Sequence, residues 1–442
     1  MKKFLNGFLF VILSLTLVLI LRSFFPKYTG ILRYFFFFLL FDAYLWLSLQ
    51  KTINRLKRRG QIAAFLVYWL PFSLIVASLV YGFFITFLDW NVALRTYIQN
   101  FILILFLAKL FPIIALILAD IIRLAIFTFL LFHPENSRAR LTVSRYQPLL
   151  ITGWIMGGFV FLILLAGTVF GQFDFRVRTQ IISLKELPLS FDGFKIVQFS
   201  DVHLGTWASK SKLEEAMEIM NGLHPDIIFF TGDMFNYSTA DGKGFGDILK
   251  KLHAPYGIYT IMGNHDYGDY LNWSSLDLKQ QNIAELRNYY NNLGWKLLLN
   301  SNDVLKKGRD SIAVIGVENW GASNRFQRLG DVGIAQKGTE QMAVQLLLSH
   351  DPSHYDRIVS KKFKNIDITF SGHTHGGQVG LDCFGFHWSP AALVYPYWCG
   401  LYGNSDTLNP QYIYVNQALG NIGYSGRIGI LPEISLIILK SK

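Results

Sequence analysis

The sequence predicts a bundle of membrane-spanning helices followed by an α/β domain built on buried sheets. Three observations carry that prediction. Of the 442 residues, 52% are apolar and only 16% charged, against roughly 25% charged in globular chains. Long apolar runs are confined to residues 1–171; beyond Phe173, short apolar runs bounded by turns alternate with polar helical stretches. The basic excess also sits in the first part. Residues 1–147 hold sixteen Lys and Arg against four Asp and Glu, and the remainder 25 against 26. The division falls at residues 1–171 and 172–442. A nucleic-acid binder would need a basic face on the second part, and its charge provides none. Two cysteines, Cys383 and Cys399, exclude a disulfide-rich scaffold and a cysteine zinc finger.

A bilayer crossing takes about 20 mostly apolar residues. Five segments qualify: Phe4–Leu21, Ile31–Leu49, Ile62–Leu88, Ile98–Phe132 and Leu149–Gly171. The first lacks the small-residue cleavage site of a signal peptide, and further spans follow it. The fourth is too long for one perpendicular crossing and too short for a comfortable hairpin. Lys51, Arg55, Lys57, Arg58 and Arg59 cluster after the second span, and Arg138, Arg140 and Arg145 after the fourth. Cytoplasmic loops concentrate such residues. Five spans then leave the N-terminus inside and everything after Gly171 outside, unless the fourth stretch breaks the parity. Asp42, Lys109, Asp120 and Arg123 interrupt the apolar runs. Buried ions of this kind are costly in lipid and tend to pair. Asp120 and Arg123, three apart on a helix, are natural partners.

In the second half, strands are expected at Lys195–Phe199, Asp226–Thr231, Gly257–Met262, Ser311–Val317, Gln345–Leu348, Asp367–Phe370, Tyr412–Asn416 and Ile434–Leu439. Ser209–Leu223 reads as an amphipathic helix with Leu213, Met217 and Met220 on one side. The strands do not alternate strictly, which suggests sheets covered on both faces.

The same residue types recur where these strands stop. The runs are Ser200-Asp201-Val202-His203, Thr231-Gly232-Asp233, Gly263-Asn264-His265-Asp266, Ser349-His350-Asp351 and Ser371-Gly372-His373-Thr374-His375-Gly376-Gly377. Each alone is weak: Asp-X-His occurs by chance, and a Gly-Asp pair is usually a turn. Five in succession, each after a strand, point to one site at the sheet ends. Carboxylate, imidazole and amide oxygens suit Mn, Fe or Zn, and the lack of thiolates argues against a structural zinc knot. Two such ions about 3.5–4 Å apart clamp the attacking and leaving oxygens of an in-line displacement at phosphorus. One carboxylate must bridge them. His133, His224, His253, His354 and His387 lie outside the motifs and read as structural.

The order of these motifs resembles the calcineurin-like metallophosphoesterase family. Within it, the chain resembles the membrane-associated bacterial branch of UDP-2,3-diacylglucosamine pyrophosphatase-type phosphoesterases. The resemblance runs from Phe194 to the C-terminus and does not extend to the spans. It implies a four-layer αββα sandwich with the site at one edge. It also implies one metal on Asp201, His203, Asp233 and His375, and a second on Asp233, Asn264, His350 and His373. His265 would face the substrate as the proton donor to the leaving oxygen, with Asp266 orienting its ring. A metal-bridging hydroxide would attack phosphorus in line.

Substrate choice is expected in two insertions. Gly268–Asn282 carries Tyr270 and Trp273 beside Tyr267, and Glu318–Gly338 carries Trp320, Arg325 and Arg328. Arginine forks suit phosphate and aromatics suit a lipid tail; ordinary solvated loops would look the same. The aromatic segment Phe384–Leu401 either rests on the bilayer, shapes a lipid entrance or is a packed loop. Its flanking cysteines could form a disulfide if the domain lies outside. Tethering to spans favours a membrane lipid or lipid-linked phosphoester as substrate and a place in the bacterial inner membrane. UDP-sugar lipids, however, lie on the cytoplasmic leaflet. The alternatives are a transporter-like protein with a regulatory phosphoesterase-like domain and a non-catalytic metal-binding scaffold.

Overall fold

The computed structural model describes residues 29–132, 143–403 and 410–442. The expected first span, Phe4–Leu21, lies outside the described residues, as do Arg138 and Arg140. Four long helices follow: α1 (Thr29–Ile53), α2 (Arg58–Phe84), α3 (Val92–Leu131) and α4 (Gln147–Ala166). Among the described residues, three segments, Arg58–Gly82, Val92–Leu130 and Gln147–Gly171, are long and apolar enough to cross a membrane. The ambiguous fourth stretch is one helix of 40 residues, about 60 Å long and thus twice the hydrocarbon thickness. The third expected span is shorter than its apolar run, because α2 stops at Phe84 and Leu88 lies in a separate short turn.

By their contacts the residues form two compact units: one up to Trp90 with Ile98–Ile163, the other Asn91–Tyr97 with Leu164–Lys442. In the first, α4 meets α3 through Gly153 and Gly157. A Cβ at Gly157 would stand 2.5 Å from the Ala108 carbonyl oxygen and 3.1 Å from the Pro112 ring. Pro112 leaves that carbonyl without its helical donor, and small residues four apart let a neighbouring backbone approach. The charges pair. Lys109 Nζ stands 3.0 Å from Asp42 Oδ1 and donates to the Tyr68 carbonyl. Asp120 pairs with Arg145 through two bonds of 2.6 and 2.7 Å and accepts from Tyr44. The expected Asp120–Arg123 pair is therefore corrected: Arg145, two fork donors in one plane, matches the carboxylate better than a same-face neighbour can.

The second unit carries two six-stranded sheets. In chain order the strands are β1 (Arg176–Leu184), β2 (Lys195–Phe199), β3 (Ile227–Phe230), β4 (Ile258–Thr260), β5 (Lys296–Leu297), β6 (Ser301–Lys307) and β7 (Asp310–Gly316). They continue with β8 (Gln345–Leu348), β9 (Ile368–Ser371), β10 (Leu381–Cys383), β11 (Phe386–Trp388), β12 (Gly400–Gly403), β13 (Tyr412–Val415) and β14 (Glu433–Ser441). The first sheet runs β1-β14-β2-β3-β4-β5 and the second β12-β13-β9-β8-β7-β6. The β2–β5 ladder and the β13-β9-β8-β7 ladder are parallel. A core between the sheets joins Ile196, Phe229 and Ile437 of one to Val314, Leu348 and Phe370 of the other. Each such buried side chain contributes about 1.5–3 kcal/mol of transfer free energy.

Helices cover the outer faces. Helix α5 (Lys210–Gly222) buries Leu213, Ala216, Met217 and Met220, one stripe at helical spacing. Helix α6 (Leu276–Leu293) adds Leu286 and Tyr290 to the same layer. It starts at Ser275, whose hydroxyl accepts from Leu278, and ends at Gly294 with φ 74°, the left-handed stop that glycine permits. Val332, Ala335, Tyr355 and Val359 cover the second sheet. The four-layer αββα sandwich is thus present. Helix α6 begins inside the expected Gly268–Asn282 insertion, so only its first part is loop. The strands β1, β5, β6, β10, β11 and β12 lay outside the sequence expectation.

Candidate metal centre

The C-terminal ends of β2, β3 and β4 stand side by side in one sheet, and those of β8 and β9 in the other. The five motifs follow directly from these ends. Gln198 locks the two edges together, donating from Nε2 to the Ser371 carbonyl at 2.9 Å and to Thr231 Oγ1 at 3.2 Å. The turns that leave the strands are sharp. Asp201, His203, Asp233, His373 and His375 all have positive φ, between 48° and 70°. Non-glycine residues adopt that region at a cost of order 1–3 kcal/mol, and such strain collects at functional sites. Gly232, φ 98°, permits a close approach: a Cβ there would lie 2.6 Å from Gly263 N and 3.0 Å from His350 Nδ1.

The donors converge. Asp201, His203 and His375 form one group able to hold an ion, Asp233, His350 and His373 a second, and His203, Asp233 and His265 a third, each with its ligand atoms within 4.8 Å. His203 Nε2 and His375 Nε2 are 3.1 Å apart, and His375 Nε2 lies 3.4 Å from Asp201 Oδ1. On the other side, His350 Nε2 lies 3.2 Å from Asn264 Oδ1 and 3.3 Å from His373 Nδ1. Asp233 Oδ2 stands between the groups, 3.7 Å from His203 Nε2 and 3.2 Å from His350 Nε2.

Each carboxylate is aimed by its backbone. Asp201 Oδ2 accepts the His373 amide at 2.9 Å, and Asp233 Oδ1 accepts the His265 amide at 2.8 Å. The other oxygens, Asp201 Oδ1 and Asp233 Oδ2, face the imidazoles. Asp201 Oδ1 is buried with no hydrogen-bond donor, a costly state for an anion unless a cation sits there. Electrostatics agree. Burial alone would raise both carboxyls, but His375 beside Asp201, and His350 and His265 beside Asp233, hold them below the usual range. Burial lowers His203, His373 and His375, which favours the neutral ring, the form able to bind a cation. His350 is the exception: burial would lower it, yet Asp233 pushes it up to about 10. Carboxylates that stabilise a buried imidazolium this strongly mark a place for positive charge. The residues present therefore fit a cation-binding site.

Asp266 departs from its expected role. Its oxygens accept the backbone amides of Gly263 and Asp233 at 2.9 Å and Met234 at 3.0 Å. It thus ties the β3 and β4 loops together, and the His265 ring is instead fixed by the Asn236 carbonyl, 2.7 Å from Nδ1. The physical reason is that three clustered amides satisfy a buried carboxylate better than one imidazole does.

The three expected substrate residues separate. Trp273 donates its indole N–H to the Gly268 carbonyl at 2.7 Å. Arg328 donates to the carbonyls of Gly321 and Ala322 and lies over the Trp320 ring. Both brace their own loops. Arg325 is exposed and near enough to Tyr270 for its charge to act on that hydroxyl.

Three residues gain a place that their motifs did not reveal. Tyr270 stacks on His265 at 3.9 Å and 10°, and its hydroxyl accepts from Asn264 Nδ2 at 2.8 Å. This turns the Asn264 oxygen toward His350. Tyr395 Oη lies 2.9 Å from His373 Nε2. Arg427, wholly buried, donates to the His375 carbonyl at 3.0 Å and the Gln417 carbonyl at 2.8 Å. The tyrosines stood in aromatic segments that could be read either way; Arg427 had no sequence signal. Both cysteines are free, and Cys399 Sγ lies 2.7 Å from His387 Nε2.

A sandwich with carboxylates and imidazoles gathered at its joined sheet edges defines a metal-dependent phosphoric ester hydrolase. Comparison with known proteins agrees. Residues 194–377 match the family model described as Calcineurin-like phosphoesterase. Residues 30–172 match one described as "Probable Calcineurin-like phosphoesterase, transmembrane domain". The chain is 33% identical over 264 residues to the uncharacterised metallophosphoesterase YkuE of Bacillus subtilis, covering 58% of this chain and 82% of that one. It is 30% identical over 264 residues to the transmembrane protein with metallophosphoesterase domain of Danio rerio, covering 59% of this chain and 56% of that one. The Bos taurus protein of the same description is 28% identical over 271 residues, covering 60% and 57%. The match thus spans little more than half the length of these vertebrate relatives. The chain belongs to the calcineurin-like metallophosphoesterase family and carries a transmembrane domain.

Proposed function

We propose that this membrane phosphoesterase holds two divalent cations and cleaves a phosphoester or pyrophosphate bond of a lipid-linked substrate. The carrying observation is Asp233 Oδ2, within 3.7 Å of His203 on one side and 3.2 Å of His350 on the other. In this reading Asp201, His203, Asp233 and His375 hold one cation, and Asp233, Asn264, His350 and His373 the other. Oxygen and imidazole donors suit Mn, Fe or Zn. When bound, such a pair supplies a nucleophile near neutral pH and offsets charge on the phosphoryl oxygens.

The chain's residues do the rest. Asp201 and Asp233, each fixed by a backbone amide, keep one oxygen in place for the centre. His265, held at Nδ1 by Asn236, leaves Nε2 for the substrate. Protonated there, it donates to a phosphoryl oxygen and passes the proton to the leaving oxygen. Tyr270 covers one face of that ring, and Arg325 beside it suits the negative charge of the substrate.

The transmembrane helices support the lipid-linked class, because a tethered site meets membrane-borne substrates at high effective concentration. The charge pattern supports residues 1–171 as the membrane region, residues 172–442 as the catalytic part, and an extracytoplasmic position in the bacterial inner membrane. A single-helix α3 supports counting that stretch as one crossing, the reading in which the basic loops lie inside. The test uses the full chain in detergent. About two manganese ions per chain are expected, with hydrolysis of bis-p-nitrophenyl phosphate, and Asp233→Ala should retain fewer than one. One ion in the wild type, or unchanged content in the variant, removes the dinuclear reading. Lipid extracts of cells lacking the protein should show an accumulated phospholipid.

A further inference from the structure

We propose that the β10–β11 hairpin seats its tip in the lipid bilayer at the acyl–headgroup boundary. The tip is Cys383-Phe384-Gly385-Phe386, where Phe384 has φ 51°. Its ring is fully exposed (105%), and Leu393 and Val394 just after the hairpin are 78% and 71% exposed. Leu381, Phe386 and Trp388 add to the same exposed set. Apolar side chains held out on a short ladder, rather than folded back, mark a contact surface.

The hairpin's attachments say what covers it. The last span, which contains α4, ends in the π-turn Gly167–Gly171. The Arg427 amide donates to the Gly167 carbonyl at 3.1 Å, and Tyr424 Oη donates to the Leu164 carbonyl. One residue on, Ile428 bridges to Val379 in parallel and accepts the Gly380 amide at 2.8 Å. Gly380 leads directly into β10. A second tie is the ion pair of Asp382 with Arg178, on the strand that starts five residues after Gly171. The hairpin is thus bound on both sides to backbone that has just left the membrane. Its six-residue ladder reaches about 10 Å, comparable to the depth at which interfacial apolar groups sit. Asp382 is neutralised by Arg178 and lies 3.3 Å from His387, so the tip itself carries no unpaired charge. Tryptophan at its base suits the interface.

The chain offers its own reporter. Cys383 is exposed and Cys399 buried, so an NBD maleimide marks the tip of the full-length protein. In phosphatidylcholine–phosphatidylglycerol nanodiscs, 5-doxyl phosphatidylcholine should quench that label at least threefold more than aqueous iodide does. Preferential iodide quenching means a solvated tip, and protection from both quenchers means a protein cover; either overturns the proposal. Phe384→Asp with Phe386→Asp should abolish most lipid quenching, and retention of it would show that these side chains do not seat the tip. None of these readouts depends on catalysis.

Discussion

The guanidinium of Arg427 holds the backbone carbonyl of His375 at 3.0 Å, at the far side of a residue expected to bind metal through its ring. The same group bonds the carbonyls of Gln417, Ala418 and Gly420 and the side chain of Asn421. No carboxylate partners it among these contacts. It works as a five-donor clip on a strained loop.

Replacing it with methionine would leave those carbonyls buried and unpaired. Arg427→Met is expected to lose about 3–5 kcal/mol of stability, read as a lower melting temperature in detergent. It should also release manganese at lower chelator concentration. An unchanged melt would show that the loop holds itself.

His265→Ala should keep its metal and lose about 10²–10⁴-fold in turnover on an ester with a poor leaving group. On an activated ester such as p-nitrophenyl phosphate the loss should be smaller, because that leaving oxygen needs little protonation. Equal losses on both would argue against a proton-donor role.

Tyr270 contributes separately through its ring and its hydroxyl. Tyr270→Phe removes the acceptor of Asn264 Nδ2 and should weaken manganese binding severalfold with little change in turnover at saturating metal. Tyr270→Ala also removes the ring from His265 and should lower turnover itself. If both variants behave alike, the stack has no function.

His354, buried on Trp320 and bonded to Ser349 Oγ, sets an acid limit. Burial lowers its pKa from 6.5 to about 4 despite nearby Asp351 and Asp331. The unfolded chain then binds the proton more tightly. Its stabilising contribution is full above pH 6.5 and is lost as pH falls toward 4, by up to about 1.4 kcal/mol per pH unit. His354→Gln should flatten the fall in melting temperature between pH 7 and 5. A parallel fall in both chains would assign the acid sensitivity elsewhere.

In the membrane part, Asp42→Asn should destabilise by a few kcal/mol, because Lys109 would keep a buried charge without its carboxylate. Adding Lys109→Met should restore most of the loss. Thermal melts of the three chains in detergent decide this; an additive double variant would mean that the pair is not coupled.

Much of this protein was legible along the chain. Apolar run length marked the spans, since lipid admits only segments that satisfy their own backbone. The five polar motifs were legible because each follows a buried strand, and the strand fixes where the next few residues emerge. What no local pattern held was the partnering. Asp266 took backbone amides instead of the His265 ring, Asp120 took Arg145 instead of Arg123, and Arg427 reached His375 across 52 positions. Such choices depend on which groups the closed sandwich and the packed helices bring within about 3 Å of one another, and on the desolvation that makes each buried charge take the best partner available.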